Sequence, residues 1–548
     1  MKNLINCKLL ALIILTSLFL SFGLINNDKS FSAENETVKK IEKKIDLPKE
    51  ITVNEFENVI IKKLKDESKL ISQYYKKVKK DEKSEIYVLT GTPTNDVANQ
   101  IKKLILKAKD ISKLWAIPFV LILLSIAIFP LFAPHFWHHN YWKVSLFVFA
   151  FPMIILSAIF YDSVGFNVLI QESTIHEFLT YVSFILLLAS LFTISGAIMI
   201  RGTMVGTPLL NTIILLIGAI LASFMATTGA SMLLIRPLIR ANKFRSKKVH
   251  VIIFFIFIVS NIGGLLTPLG DPPLFLGYLK GVPFTWTLFN LVPEWLFANV
   301  VLIALFFLID TIIYKKELKK GLIKVDDSSV AKEPIRINGK VQFIFLFGVV
   351  FSIYLQGLLY KTYSWWPHFG PQEGAMFLMM ILSLIVAKPK SKIRVDNEFS
   401  WFPIKEVAAL FAAIFACMVP TLFLLNLHGG ELGVTQPWQF FWVTGGLSSF
   451  LDNAPTYLVF LETAQPVLGV QDVLGILNHQ NGPGLLAAIS CGAVFMGANS
   501  YIGNAPNFMV KSIAEEQGIK MPSFFGYMIY SVIILIPLFI LITFIFFK

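Results

Sequence analysis

Several segments of about 17–25 apolar residues follow one another between Trp115 and the end of the chain. A helix of this length spans the hydrocarbon core of a bilayer, which is about 30 Å thick. Hydrophobic residues make up 55% of the 548 residues, and charged residues make up only 15%. Average soluble domains carry roughly 25% charged residues. The sequence therefore predicts an all-α polytopic membrane protein.

Composition divides the chain into five parts. Residues 1–33 place Lys2 and Lys8 before or within a long apolar run, which is typical of a signal peptide or signal anchor. Residues 34–114 are rich in lysine and glutamate, with apolar residues at helical spacing, and predict a charged, mostly helical segment outside the cytoplasm. The other three parts are a first repeat of apolar segments, a basic cytoplasmic linker and a second repeat, at 115–313, 314–340 and 341–548.

Basic residues predict which loops face the cytoplasm. Three loops predicted to be inside are rich in lysine and arginine, and three predicted to be outside contain neither. The loops predicted to be inside are 241–250, 314–340 and 388–394. Those predicted to be outside are 161–177, 428–438 and 464–483. This asymmetry holds only if 208–239 and 439–463 are hairpins that leave the membrane on the side they entered. The net charge of +13 thus reflects inner-membrane topology and does not indicate nucleic-acid binding.

Each half of the membrane domain pairs such a hairpin with an interrupted apolar segment. The interruptions read NIGGLLTPLGDPP (261–273) and GANSYIGNAPN (497–507), and the hairpins turn near TTGAS (227–231) and SSFLDNAPT (448–456). Glycine and proline end helices and free backbone groups, which must then line a cavity inside the protein. The predicted fold is an inverted-repeat secondary transporter with two re-entrant hairpins and two discontinuous helices.

Two aspartates lie in these motifs. A charged aspartate at mid-membrane costs about 2.5–3.5 kcal/mol on insertion scales, so Asp271 and Asp452 are candidate functional groups. Asp271 precedes two prolines and is either a helix cap, an ion ligand or both. For Asp452, the sequence favours a titrating group.

The sequence contains no GxxxxGK[ST] motif, which argues against an ATP-driven pump. Its three cysteines are far apart and lack metal-ligand spacing. The sequence suggests no pair of a nucleophile and its base, so it does not indicate an enzyme. We therefore expect no cofactor beyond the transported or coupling ions, Na⁺ and H⁺.

The stretches SNIGGLLTPLGDPPLFLGYLKGVPF (260–284) and SSFLDNAPTYLVFL (448–461) resemble the ion transporter superfamily. They look most like its citrate transporter and sodium/proton antiporter-like branch, over roughly residues 115–547. The resemblance implies two cation or substrate regions, each made by a hairpin tip and the interruption that follows. The residues carried over are Thr227, Thr228, Ser231, Asn261, Gly263, Gly264, Thr267, Gly270, Asp271, Ser449, Asp452, Asn453, Thr456, Asn499, Ser500, Gly503, Asn504 and Asn507.

Two transport reactions are consistent with these residues. Exchange of Na⁺ for H⁺ is favoured, because an acid in each repeat would repel a polyanion and because the first tip lacks the asparagine of the dicarboxylate branch. The alternative is uptake of citrate or another carboxylate coupled to Na⁺ or H⁺. A channel or receptor is disfavoured because neither needs paired hairpins. The expected partners are small ions or a small carboxylate, and membrane lipid. The sequence does not decide whether the protein forms a homodimer.

Overall fold

The structure is a computed structural model of the protein. It describes most of the chain from Lys113 onward and three short stretches before it. The described residues are 50–52, 68–81, 84–89, 113–151, 167–321, 334–363, 365–470 and 472–548. The predicted signal peptide or anchor at 1–33 lies outside them and stays a prediction.

The described part of the charged segment 34–114 is a three-stranded antiparallel sheet with one short helix. Its elements are β1 (Glu50–Thr52), α1 (Ser68–Tyr74), β2 (Tyr75–Asp81) and β3 (Ser84–Leu89), with strand order β1-β3-β2. The prediction of a mostly helical segment is therefore wrong for the described residues 75–81 and 84–89. The sequence of β3, SEIYVL, contains strand-favouring Ile, Tyr and Val, and its pairing with β2 overrides the local helical spacing.

The first half of the membrane domain contains helices of very different lengths. Those in the described residues are α2 (Ile117–Phe132), α3 (Pro134–Lys143), α4 (Asn167–Ser195), α5 (Pro208–Met225), α6 (Thr227–Ala241), α7 (Val249–Ile258), α8 (Pro272–Leu279), α9 (Phe284–Asn290) and α10 (Val292–Lys319). A π-helix at Val144–Ala150 continues α3. Pro208 and Pro272 open α5 and α8, where the missing N–H of proline costs nothing.

The second half also contains helices of very different lengths. Its helices in the described residues are α11 (Gln342–Thr362), α12 (Pro371–Val386), α13 (Lys392–Asp396), α14 (Phe402–His428), α15 (Pro437–Ser448), α16 (Asn453–Leu468), α17 (Val473–Asn478), α18 (Gly482–Met496), α19 (Ala505–Glu516) and α20 (Phe524–Phe546).

Nine helical segments within the described residues are long and apolar enough to cross a membrane. They are Lys113–Pro130, Ile175–Ser195, Pro208–Met225, Val249–Leu266, Val292–Lys319, Gln342–Thr362, Phe402–Asn426, Gly482–Asn499 and Phe524–Phe546. The prediction of a polytopic helical membrane protein is therefore confirmed.

Both predicted interruptions are present. A 3-10 turn at Ile262–Leu266 lies between α7 and α8, and one at Gly497–Asn499 lies between α18 and α19. We call these two units the first and second broken helices. Helices α5 and α6 pack against each other, as do α15 and α16, and we call these pairs the first and second hairpins.

The membrane helices pack in two groups. The hairpins and broken helices pack with α10 and α20, and we call these elements the site group. Helices α2, α4, α11, α12 and α14 pack on one another and form the flanking group. The groups meet where α4 contacts α6 and α8 and where α14 contacts α16. The short helix α8 therefore lies at the boundary between the groups.

A two-stranded sheet lies beside these helices. Strand β4 (Met199–Arg201) follows α4 and pairs antiparallel with β5 (Arg336–Asn338), at the end of the predicted linker 314–340. The prediction of an all-α fold thus holds for the candidate spans, whereas the two small sheets lie outside them.

Candidate functional site

The first hairpin and the first broken helix are joined at their tips. Ala226 alone separates α5 from α6, and its positive φ of 63° reverses the chain within one residue. The Thr227 N–H donates to the Gly270 carbonyl at 2.8 Å. A non-glycine residue rarely adopts this backbone conformation, so the surrounding contacts must hold the turn in place.

Ser223 joins the same two elements a second time. Its Oγ donates to the Gly263 carbonyl at 2.5 Å, and its carbonyl accepts from Thr267 Oγ1. Trp295 Nε1 of α10 donates to the same Gly263 carbonyl at 3.1 Å. Backbone groups freed by the interruption are thus satisfied inside the protein, as a membrane requires.

The second hairpin and the second broken helix repeat these contacts. Ser449 takes the role of Ser223, because its Oγ donates to the Met496 carbonyl at 3.1 Å and its carbonyl accepts from Ser500 Oγ at 2.5 Å. Asn499 Nδ2 adds a bond to Ser449 Oγ at 2.9 Å. The two interruptions therefore share one local pattern of hydrogen bonds.

Glycine pairs make the same close approach in both halves. Gly264 and Gly270 are six residues apart, as are Gly497 and Gly503. A Cβ added to Gly270 would lie 2.7 Å from the Gly264 carbonyl carbon, and one added to Gly503 would lie 2.6 Å from the Gly497 carbonyl oxygen. Only glycine fits these crossings. By the same matching, Asp271 follows the second glycine of its pair as Asn504 does in the other half.

Asp271 is the point at which all four elements meet. Its carboxylate accepts from Thr227 Oγ1 at 2.9 Å, Asn504 Nδ2 at 3.0 Å and Asn453 Nδ2 at 2.5 Å. These donors come from the first hairpin, the second broken helix and the second hairpin. Asp271 itself belongs to the first broken helix and is only 1% exposed. The two binding regions implied by the resemblance thus converge on one carboxylate.

Asparagines extend the contact between the two broken helices. Asn504 Nδ2 also lies 3.1 Å from the Ser260 carbonyl and 3.3 Å from Asn261 Oδ1. Asn261 Nδ2 donates to Asn507 Oδ1 at 2.7 Å, and Asn507 Nδ2 donates to two carbonyls of the second interruption, both at 2.9 Å. The two halves therefore form one continuous polar centre.

The two aspartates have different contacts. Asp452 Oδ1 accepts from the Ala454 N–H at 3.0 Å and caps α16. Asp271 occupies the N-cap position of α8 but makes no capping hydrogen bond. The sequence favours Asp452 as the titrating group, whereas the observed contacts give Asp452 the cap and leave Asp271 as the acceptor for three side chains.

The other predicted residues surround this centre. Ser231 Oγ lies 2.8 Å from Ser260 Oγ, and Thr456 Oγ1 donates to the Asp452 carbonyl at 2.9 Å. Among the described residues, the Thr228 side chain does not hydrogen-bond to Asp271.

Sequence reasoning missed Ser223, Ser260 and Trp295. Ser223 and Ser260 lie in apolar helical stretches just before a predicted tip or interruption, and that position is the signal that would have found them. Trp295 lies in a separate helix, so only packing brings it to the interruption.

The chain matches the model of a protein family described as “Putative citrate transport” over residues 108–547. The match covers well over half of the chain and includes every element of the site. This chain belongs to that family. Among curated proteins, none matches it closely enough to be called a relative. Membership in a transport family and a multi-pass helical fold point to a secondary transporter rather than an enzyme.

In this family member, the groups that contact Asp271 are electrically neutral. Two are amides and one is a hydroxyl, and no lysine or arginine of the described residues hydrogen-bonds to the carboxylate. Arg236 of the first hairpin forms an ion pair with Glu398 at 2.5 Å. The Asp271 carboxyl group therefore has only neutral hydrogen-bond partners among the described residues.

Replacing Thr227 with valine should weaken the hydrogen bonding of Asp271. Valine keeps the shape of threonine but removes the hydroxyl that donates to the carboxylate. A hydrogen bond to a charged group contributes about 1.5–3 kcal/mol, so we expect the midpoint of thermal unfolding to fall. The matched control is Thr212→Val, because Thr212 Oγ1 donates to the Pro208 carbonyl within α5. Equal effects of the two substitutions would contradict a specific role for the hydrogen bond from Thr227 to Asp271.

Proposed function

We propose that the protein exchanges Na⁺ for H⁺ across the inner membrane by alternating access. The observation that supports this proposal is Asp271, a buried carboxylate at which both hairpins and both broken helices meet. A buried aspartate is costly when charged, at about 2.5–3.5 kcal/mol on insertion scales. Either a proton or a bound Na⁺ removes that charge.

The donors around Asp271 suit it to both ions. An asparagine amide offers N–H groups to a carboxylate or, after rotation, its oxygen to a cation. With Asn453 and Asn504 rotated, two amide oxygens, the Thr227 hydroxyl and the Asp271 carboxylate present oxygen ligands to one point. Hard cations prefer such ligands. The observed orientation, with both amide N–H groups toward Asp271, suits the ionised carboxylate without a bound cation. In the protonated form, rotation of one amide gives the carboxyl O–H an oxygen acceptor.

Competition at one carboxylate couples the two fluxes. Asp271 can hold Na⁺ or a proton but not both together, so each passage of Na⁺ in one direction returns a proton in the other. Alternating access then requires the site to open to each side in turn. We propose that the two hairpins are re-entrant and the two repeats inverted, as the distribution of basic loops favours and the shared contacts of the two interruptions support.

Everted membrane vesicles containing the protein test this function. A preset pH gradient should collapse on addition of Na⁺, as read from a pH-sensitive dye, and vesicles without the protein should show no response. The same vesicles are then given labelled citrate. Accumulation of citrate without any Na⁺-dependent proton movement would contradict exchange.

A second candidate is citrate or carboxylate uptake coupled to Na⁺ or H⁺. The description of the family favours it. In this case Asp271 binds the coupling cation, which offsets the charge of the anion. Citrate accumulation that depends on Na⁺ or on a pH gradient would support this candidate over exchange.

A further inference from the structure

Lys280 and Asp271 flank one short helix. Asp271 immediately precedes α8, and Lys280 is the C-cap residue of that helix. Because the two residues are nine positions apart and a helix rises 1.5 Å per residue, their backbone positions lie roughly 13.5 Å apart. A rigid displacement of α8 therefore moves both residues together.

Lys280 forms an ion pair with a helix of the flanking group. Its Nζ contacts Glu177 Oε1 of α4, and the two side chains are only 11% and 7% exposed. Helix α8 belongs to the site group, so the pair crosses the boundary between the two groups. It is thus a direct link between α4 and the helix that begins next to Asp271.

Because the Lys280–Glu177 ion pair is buried, its free energy depends strongly on the position of α8 relative to α4. Two apolar side chains would hold α8 against α4 at least as well, because a buried ion pair loses much of its attraction to desolvation. A small displacement, however, would leave two buried charges without partners, and that state is strongly disfavoured. The pair therefore holds α8 in one setting relative to α4.

Glu462 offers Lys280 a second partner. It lies on α16 nine residues after Asn453, and Lys280 lies nine residues after Asp271, to which Asn453 donates. Because α16 and α8 pack side by side, this register places Glu462 beside Lys280. Glu462 Oε2 accepts from Gln465 Nε2 at 3.0 Å and from Asn426 Nδ2 at 3.4 Å. Helix α16 packs along α8, and its first residue, Asn453, donates to Asp271. Glu462 therefore belongs to the same group as Lys280, whereas Glu177 belongs to the other.

We propose that Lys280 is a positioning residue that alternates between Glu177 and Glu462 during transport. Pairing with Glu177 holds α8, and with it Asp271, in the observed setting. Transfer to Glu462 releases α8 from α4 without leaving the lysine unpaired. The inference rests on the proposed function in that Asp271 is taken as the ion-binding group, but the exchange of partners itself needs no particular ion.

A cysteine at Leu279 reports the setting of α8. Leu279 is buried and lines a cleft together with His176 of α4 and Gln372 of α12. After replacement of the three native cysteines, the rate of labelling of Leu279→Cys by a small maleimide measures how often α8 leaves α4. The assay needs no transported ion.

The two carboxylates should change labelling in opposite directions. Glu177→Gln removes the partner in the observed setting and should raise the labelling rate about tenfold or more, whereas Glu462→Gln removes the alternative partner and should lower it by a similar factor. The charge-swapped variant Lys280→Glu with Glu177→Lys restores the link to α4 but places a carboxylate against Glu462, so it should label slowly. Glu431→Gln, which alters an exposed carboxylate, is the matched control.

Each outcome bears on the proposal. If Glu177→Gln and Glu462→Gln both raise labelling, or neither changes it, Lys280 has only a structural role and the proposal is overturned. A monodisperse gel-filtration profile is required of each variant as evidence that it folds. Lys280→Arg, which keeps the positive charge, should label at the normal rate. If labelling shifts in opposite directions while the wild-type protein exchanges no Na⁺ for H⁺, the positioning role stands and the proposed function fails.

Discussion

Replacing Asp271 with asparagine should reduce Na⁺-dependent proton movement in everted vesicles about a hundredfold. Asparagine has nearly the same size as aspartate but neither releases a proton nor neutralises Na⁺. Loss of about 3 kcal/mol of charge-assisted interaction corresponds to about a hundredfold loss of transport at limiting Na⁺. The initial rate of gradient collapse, normalised to the amount of protein in the membrane, measures this effect.

Asp452→Asn is the matched control for that substitution. Asparagine is as good an N-cap residue as aspartate, so α16 keeps its cap to the Ala454 N–H and most of the activity should remain. The opposite result, with Asp452→Asn inactive and Asp271→Asn active, would return the role of titrating group to Asp452 and refute the site as described.

Replacing Gly270 with alanine should prevent stable folding of the membrane domain. The new Cβ would overlap the Gly264 carbonyl group, whose carbon atom would be only 2.7 Å away. Backbone atoms cannot rotate aside as a side chain can. Overpacking of a tight interior typically costs about 1–3 kcal/mol. Here the strain also threatens the bond from the Thr227 N–H to the Gly270 carbonyl. Yield of monodisperse protein and the midpoint of thermal unfolding measure the loss.

Gly446→Ala provides the comparison within the second hairpin. Gly446 lies inside α15, and a Cβ there would meet no atom within 4 Å. Alanine in a helix interior is favoured over glycine by roughly 0.5–1 kcal/mol, so this variant should be at least as stable as the wild type. If Gly270→Ala were equally stable, the close crossing at Gly264 would be wrong.

Local patterns were sufficient to predict a multi-pass helical protein and its two interruptions. The length of each apolar run sets whether a helix can span a bilayer, and glycine and proline stop the hydrogen-bond ladder wherever they cluster. The interruptions at 261–273 and 497–507 follow from these rules alone. The segment at 75–81 shows the limit, because there a paired strand, which is a nonlocal contact, overrides the helical spacing.

The resemblance named residues in both halves of the chain but not the contacts that connect them. It implied two separate regions, whereas Asn453 and Asn504 of the second half both donate to Asp271 of the first. The sequence also could not tell a capping aspartate from an accepting one. That distinction depends on whether the carboxylate faces its own helix, as at Asp452, or a neighbouring element, as at Asp271.

The sequence by itself determined that this chain is a multi-pass helical membrane protein with two interrupted segments, because helix length and helix breaking are properties of neighbouring residues. Only the tertiary structure decided that both halves converge on Asp271 and that Lys280 links the same short helix to Glu177. Those contacts join residues far apart in the chain, and their geometry is set by how the hairpins and broken helices pack.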